Sequence, residues 1–241
     1  MNERTVFVTG GSRGIGLAIV EGLLQDGFKV VVIARTRTAE FDGLTAAHPG
    51  RVEFLPADLG SRAGQDAAAR ALRACPTLFG LVNNAGLAVS GLHVGIARDE
   101  MVRAWALNVE APMQLSQAAV KAMYRSRSGR IINISSISAH KSYRGLGVYT
   151  ATKSALEGFA RVLALEVGGW GITVNTVAPG FIETEMNADL PAEVMDRIRR
   201  RNPLSRKPAG ADVADAVRYL LGPGGDVVTA QVLKVDAGAT A

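Results

Sequence analysis

Short β-branched runs alternate with longer stretches of helical periodicity along almost the whole chain, and that alternation admits few folds. The runs fall at 5–8, 29–33, 52–55, 78–82, 130–134, 172–177 and 232–235, and helical periodicity fills 15–25, 65–74, 99–124, 149–167 and 211–221. Most of the runs are apolar at successive positions, as strands are when helices cover both faces of their sheet. Strand and helix in strict alternation make βαβ units, so the expected architecture is α/β: a doubly wound, seven-stranded parallel sheet with helices on both faces. Right-handed crossovers then place any ligand crevice at the carboxyl ends of the strands.

The 241 residues show no compositional break and no internal repeat, so one domain spanning 1–241 is expected. The stretch 181–208 departs from the alternation. A loop-rich segment of that length is usually functional, and it reads as a substrate lid with a short helix at 191–200. Cys75 stands alone, so nothing requires an oxidising compartment. The apolar stretch at 6–8 is too short for a signal core, and no run approaches the ~18–20 residues of a membrane span. A cytoplasmic protein with no membrane partner is expected. The net charge is +5 and the pI 9.7. The positive charge is dispersed except in two clusters, and nucleic-acid modules are missing, so an anionic small ligand or an acidic partner is the economical reading.

Glycine is in excess: 27 residues, about one in nine against a usual ~7%. Several sit where the first strand meets the first helix, in Thr9-Gly10-Gly11-Ser12-Arg13-Gly14-Ile15-Gly16. Glycines let a backbone turn tightly and approach a pyrophosphate, whose charge is favoured at a helix N-terminus. The spacing is G-x-x-x-G-x-G and not the commoner G-x-G-x-x-G. Taken alone, the stretch could be an ordinary glycine-rich strand-to-helix turn, the less favoured reading. With the strand–turn–helix context, it predicts a Rossmann-like dinucleotide site using Gly10, Ser12, Arg13, Gly14, Ile15 and Gly16.

The end of the second strand selects between cofactors, since an acid there binds the ribose of NAD and an arginine accommodates a 2′-phosphate. The chain has Ala34-Arg35, with no carboxylate from Thr36 to Ala39. Arg35, with Ser12 and Arg13, therefore favours NADPH over NADH, against the simpler reading of Arg35 as a solvated loop residue. After the third strand, Asp58-Leu59 could meet the adenine, although an aspartate before a helix is as often a plain N-cap.

Tyr149 and Lys153 are i and i+4 on one helical face. A phenol with a pKa of ~10 is a poor acid–base group near neutrality unless its anion is stabilised, which an adjacent ammonium does. Ser136, thirteen residues upstream at the end of the fifth strand, can hold a carbonyl beside that phenol. In isolation, Y-x-x-x-K is weak and would be read as a surface pair. No metal ion is expected.

The joint pattern of Thr9 to Gly16, Asn83-Asn84-Ala85-Gly86, Asn108, Ser136, Tyr149, Lys153 and Pro179-Gly180 resembles the short-chain dehydrogenase/reductase family from Thr5 to Gly238. Within it, Gly171-Ile172-Thr173-Val174-Asn175, the segment Ala178 to Met186 and the segment Gln231 to Gly238 are similar to 3-oxoacyl-[acyl-carrier-protein] reductases. The resemblance implies that Tyr149 protonates the substrate oxygen as NADPH delivers hydride, and that Ser136 positions that oxygen. It implies that Lys153 binds the nicotinamide ribose and lowers the tyrosine's pKa, and that Asn108 holds a water linking the lysine to solvent. Asn83, Ala85 and Gly86 would border the cofactor, with Asn83 near the adenosine ribose. Pro179, Gly180, Ile182 and Thr184 would complete its site, the last two reaching the carboxamide and phosphates. The family also implies a homotetramer built on the helices at 99–124 and 149–167.

Two departures bear on the substrate. Asn83 to Gly86 continues as Leu87-Ala88-Val89-Ser90, where the fatty-acid reductases usually have Ile-Thr-Arg-Asp. The basic residue that they often place just before Gly-Ile-Thr-Val-Asn, implicated in acyl-carrier docking, is here Trp170. The partner position, Arg127, is kept, with Lys121, Arg125 and Arg130 nearby, so an acyl carrier protein is expected on that basic surface. The second cluster, Arg197, Arg199, Arg200, Arg201, Arg206 and Lys207, is an alternative acidic-partner surface or merely a solvated face. The expected activity is NADPH-dependent reduction of a 3-oxoacyl thioester in fatty-acid or polyketide synthesis. The alternatives are a reductase or dehydrogenase for a free small ketone, alcohol or sugar, and a non-catalytic NADP-binding regulator.

Overall fold

A computed structural model describes residues 4–182, 200 and 202–241. Seven parallel strands form one sheet: β1 (Thr5–Thr9), β2 (Lys29–Ala34), β3 (Val52–Pro56), β4 (Leu78–Asn83), β5 (Gly129–Ile134), β6 (Ile172–Pro179) and β7 (Val232–Val235), in the order β3-β2-β1-β4-β5-β6-β7. The expected doubly wound sheet is what forms. Strands β1, β4, β5 and β6 are buried at every position, and the edge strands β3 and β7 are not. That difference fits the exposure of Glu53 on β3 and Lys234 on β7, whereas the polar residues of the central strands, Asn83, Arg130, Asn133 and Asn175 among them, are buried.

The helices are α1 (Gly14–Gln25), α2 (Ala39–Ala47), α3 (Arg62–Ala74), α4 (Arg98–Trp105), α5 (Ala111–Met123), α6 (Gly147–Val167) and α7 (Gly210–Leu221). Two apolar cores lie on opposite faces of the sheet. One joins Leu81 and Ile131 to Leu115 and Ala160 of α5 and α6, and the other joins Val8 and Val32 to Ile19 and Val217 of α1 and α7. Each buried aliphatic side chain of this kind contributes about 1.5–3 kcal/mol relative to exposure.

Two helical expectations need correcting. Helix α2 was not expected: nine residues containing Gly43 give too short a pattern, yet Thr38 caps it by accepting from the Phe41 amide, and Glu40 and Asp42 sit in its first turn. The stretch 99–124 is not one helix either. A π-helical turn, Ala106–Glu110, separates α4 from α5. The expected helix at 191–200 and most of the lid at 181–208 lie outside the described residues.

Candidate active site

The order of the sheet reverses between β1 and β4, and the crevice opens there. Asn84 closes its floor: its side-chain amide donates to the carbonyls of Thr9 (2.9 Å) and Gly10 (3.2 Å), while the Thr9 hydroxyl accepts from the amides of Asn84 and Ala85 at 2.9 Å each. Gly10 (φ +65°) and Gly14 (φ +55°) take the left-handed conformation that the turn demands. A Cβ on Gly16 would strike the Gly10 carbonyl oxygen and the Asn84 amide, so only glycine lets α1 begin this close to the turn. Ile15 is half-buried behind it and Ser12 is buried. The result is a glycine-rich cradle at a helix N-terminus, which fits a pyrophosphate.

Arg13 and Arg35 are both exposed, on neighbouring loops that are held together where the Thr38 hydroxyl donates to the Ser12 carbonyl at 2.8 Å. Of the acids that follow Arg35, Glu40 is exposed in the first turn of α2, and Asp42 pairs with Arg37 at 2.5 Å, with Arg37 lying over the rings of Phe41 and Phe54. Asp58 is exposed, with its carboxylate accepting from the Gly60 amide at 3.0 Å. The N-cap of α3 is Ser61 and not Asp58. Leu59 is buried in the core.

The Asn83 side chain is buried within the sheet, donating to Asn133 Oδ1 (2.8 Å) and the Ser116 hydroxyl (3.2 Å). Ala85 and Gly86 are half-buried along the crevice, and a Cβ on Gly86 would come within 3.3 Å of Lys153 Nζ. Pro179 and Ile182 are buried, and Gly180 packs on Asp236, where a side chain would clash. Thr184 lies outside the described residues.

The structure brings the four expected catalytic residues together. Ser136 follows β5 and caps a short 3-10 turn, its hydroxyl accepting from the Ser138 amide. Tyr149 and Lys153 share the first turns of α6, with Lys153 Nζ 5.6 Å from the centre of the Tyr149 ring. Lys153 is buried and donates to the Ile134 carbonyl at 2.8 Å. Asn108, fully buried in the π-helical turn, exchanges two 2.8 Å hydrogen bonds with the Leu87 backbone and donates to the Thr152 hydroxyl at 3.0 Å. Both amide protons and one lone pair of the side-chain oxygen are thereby engaged.

Electrostatics in the resting site run opposite to one expectation. Burial raises the Tyr149 phenol above its ordinary value, opposed by hydrogen bonding from Ser136. Burial likewise lowers Lys153 from 10.5 to about 8, opposed by the Glu157 carboxylate. Desolvation outweighs any help from the lysine, so the phenol keeps its proton. A protonated phenol is the form required of an acid that donates to a ketone oxygen.

Glu157 was not anticipated. It lies one helical turn beyond Lys153, on the apolar face of α6 among Leu156, Ala160 and Ala164. A carboxylate in a buried stripe was the available signal.

The fold and these four residues define an oxidoreductase that uses a nicotinamide cofactor. A family model described as "short chain dehydrogenase" matches residues 4–194, and the chain belongs to the short-chain dehydrogenase/reductase family. It is 35% identical to nodulation protein G of Rhizobium meliloti (strain 1021), over 99% of this chain and 97% of that one. It is 34% identical to the 3-oxoacyl-[acyl-carrier-protein] reductase FabG of Vibrio cholerae, over 99% and 98%. Among solved structures it is similar to a blue fluorescent protein from a metagenomic library in complex with NADPH, with a TM-score of 0.88 and 36% identity over 100% and 99% of the two chains.

Proposed function

We propose that this protein reduces 3-oxoacyl thioesters to 3-hydroxyacyl thioesters with NADPH, the acyl group being carried by an acyl carrier protein. The observation that carries the reduction is the half-buried Tyr149, hydrogen-bonded to Ser136 and with Lys153 Nζ 5.6 Å from its ring centre. When bound, the cofactor supplies hydride, and the chain supplies everything else. Ser136 holds the ketone oxygen against the phenol, Tyr149 gives its proton to that oxygen, and Lys153 offsets the charge left on the tyrosine. NADPH is preferred over NADH because Arg13 and Arg35 flank the end of β2 with Asp42 already paired to Arg37. The thioester substrate follows from the likeness to the carrier-protein reductase.

One observation favours a free ketone as the second reading. Trp170, which stands where a docking cation was expected, packs edge-on against Tyr124 at 4.9 Å. Arg127 is drawn into the same cluster, over the Tyr124 ring and donating to the Gly169 carbonyl. Arg130 also leaves the expected basic surface: it is buried, pairs with Asp226 at 2.5 Å and lies over Phe79. Arg125 and Lys121 remain exposed beside Arg127. In the second cluster, Arg206 pairs with Asp212 and Arg200 is exposed, while Arg197, Arg199 and Arg201 lie outside the described residues.

A groove of about 1130 Å³ between α5 and α6, lined by Trp105, Met113, Tyr124, Phe159, Leu163 and Trp170, lies away from the glycine cradle. It is assigned to the contact between copies of the chain in a homotetramer, and not to substrate. Among the described residues no helix is long and apolar enough to cross a membrane. The deciding experiment compares NADPH oxidation with 3-oxoacyl groups on carrier protein, on N-acetylcysteamine and as free ketones. Turnover confined to free ketones would replace the first reading by the second.

A further inference from the structure

We propose that Glu157 is a positioning residue for the reaction, holding the Ser136 turn against α6, the helix that bears Tyr149 and Lys153. The proposal rests on the roles given above to Ser136, Tyr149 and Lys153. Glu157 is 5% exposed, and a carboxylate is not left there without partners. Its Oε1 accepts from the Ser135 hydroxyl at 2.7 Å and faces His140 Nε2 at 3.1 Å. Those two residues bracket the segment that carries Ser136. Lys153 grips the same segment one residue earlier, through the Ile134 carbonyl. Successive turns of α6 thus fasten both sides of Ser136 to the helix that bears Tyr149, and the phenol–hydroxyl geometry is fixed by these two grips.

The second part of the role is charge. Lys153 has left water for a buried site, and among the described residues the carboxylate that opposes its loss of a proton is Glu157, at i+4 on the same helix. The titratable groups facing Glu157 are Lys153 on its own helix and His140 on the turn after β5, and those facing Lys153 are Tyr149 and Glu157. The π-helical turn packed against this region presents the neutral Asn108. His140 has its side chain partly open to solvent at 24% exposure and so joins the buried carboxylate to the surface.

The test uses the free chain and needs no substrate. Lysine side chains are labelled with 15N, Lys153 is assigned through Lys153→Met, and its titration is followed by NMR in the native protein and in Glu157→Gln. The amide introduced by that substitution keeps an acceptor for the Ser135 hydroxyl and removes the charge. Lys153 is expected to titrate lower in Glu157→Gln by at least about half a pH unit. The alkaline limb of the kcat profile, measured with whichever ketone the protein reduces, should move down by the same amount. An unchanged lysine titration overturns the charge role, whatever the substrate proves to be. Ser135→Ala tests the grip in a variant that perturbs packing little: kcat should fall several-fold with KM for NADPH unchanged and the Lys153 titration retained. Wild-type kcat in Ser135→Ala overturns the positioning role. Loss of all ketone reduction in the native protein, with the lysine shift intact, would instead remove the proposed activity and leave the Glu157–Lys153 coupling standing.

Discussion

Burying a lysine to serve a reaction has a stability consequence that can be measured. The fall of the Lys153 pKa from 10.5 to about 8 corresponds, at about 1.4 kcal/mol per pH unit, to a penalty of about 3 kcal/mol for carrying the charge in the folded chain at neutral pH. Lys153→Met removes the charge while keeping an unbranched side chain of similar length. It also removes the hydrogen bond to Ile134 O, which costs about 1–2 kcal/mol because that carbonyl is left unpaired. The expected net effect is a gain of about 1–2 kcal/mol, or a rise in Tm of about 3–6 °C for a chain of this size. The pH dependence identifies the cause. Between the two pKa values the unfolded chain holds a proton that the folded chain has released, so wild-type stability rises from about pH 8 toward 10.5 relative to the variant. The advantage of Lys153→Met is therefore full below pH 8, is lost between about pH 9 and 10, and by about pH 10.5 gives way to a deficit set by the missing hydrogen bond to Ile134 O. Urea unfolding at pH 6, 7, 8, 9 and 10, at equal protein concentration and without cofactor, reads this directly. A variant no more stable than wild type at pH 7, or an advantage that does not change with pH, refutes the argument that desolvation dominates at this site.

Further outcomes follow from the same geometry. Tyr149→Phe should keep the fold and NADPH affinity and lose at least ~10²-fold in turnover, since only the proton donor is removed; near-normal turnover would require another acid. NADPH should bind at least ten-fold more tightly than NADH, about 1.4 kcal/mol, and Arg35→Asp should shift preference toward NADH in a fluorescence titration at fixed salt. Equal affinities in the native protein would remove Arg13 and Arg35 from the cofactor argument.

The sheet was legible because seven mostly apolar, β-branched runs leave little choice of strand, and six of them were extended by only one or two residues while the seventh kept its bounds. What escaped was structure whose cause lies between elements. Helix α2 is held by the cap at Thr38 and the burial of Phe41 more than by any repeating pattern. The π-helical turn has no composition of its own; it exists where α4 and α5 meet the backbone of Leu87, and it aims Asn108 there. Arg130 read as part of a basic run because sequence neighbours share a cluster only on paper, and β5 carries it inward to Asp226. In the site, Tyr149 and Lys153 were visible from helical spacing, whereas the partners that fix them, Ile134 O and Glu157, are a backbone atom and an acid that no motif marks.

The docking surface is the place where sequence and structure pull apart, and one substitution decides it. Arg127, exposed and in the left-handed region at φ +51°, has its guanidinium over the Tyr124 ring and donates to the Gly169 carbonyl. Trp170 completes that cluster from the other side. An acidic carrier protein approaching here would meet Arg125 and Lys121 freely, but would have to detach Arg127 from its aromatic seat. Electrostatic docking acts mainly on association and weakens with ionic strength, while a small thioester uses only the crevice. Arg127→Glu should thus raise KM for a carrier-bound 3-oxoacyl substrate several-fold at low salt, with the N-acetylcysteamine analogue almost unaffected. The difference should shrink as salt rises from about 0.05 to 0.5 M, where the Debye length falls below the reach of the surface charges. If both substrates respond alike, or neither does, the cluster of Tyr124, Arg127 and Trp170 is not a carrier site, and its aromatic character places it with the groove between α5 and α6 as contact surface between copies of the chain.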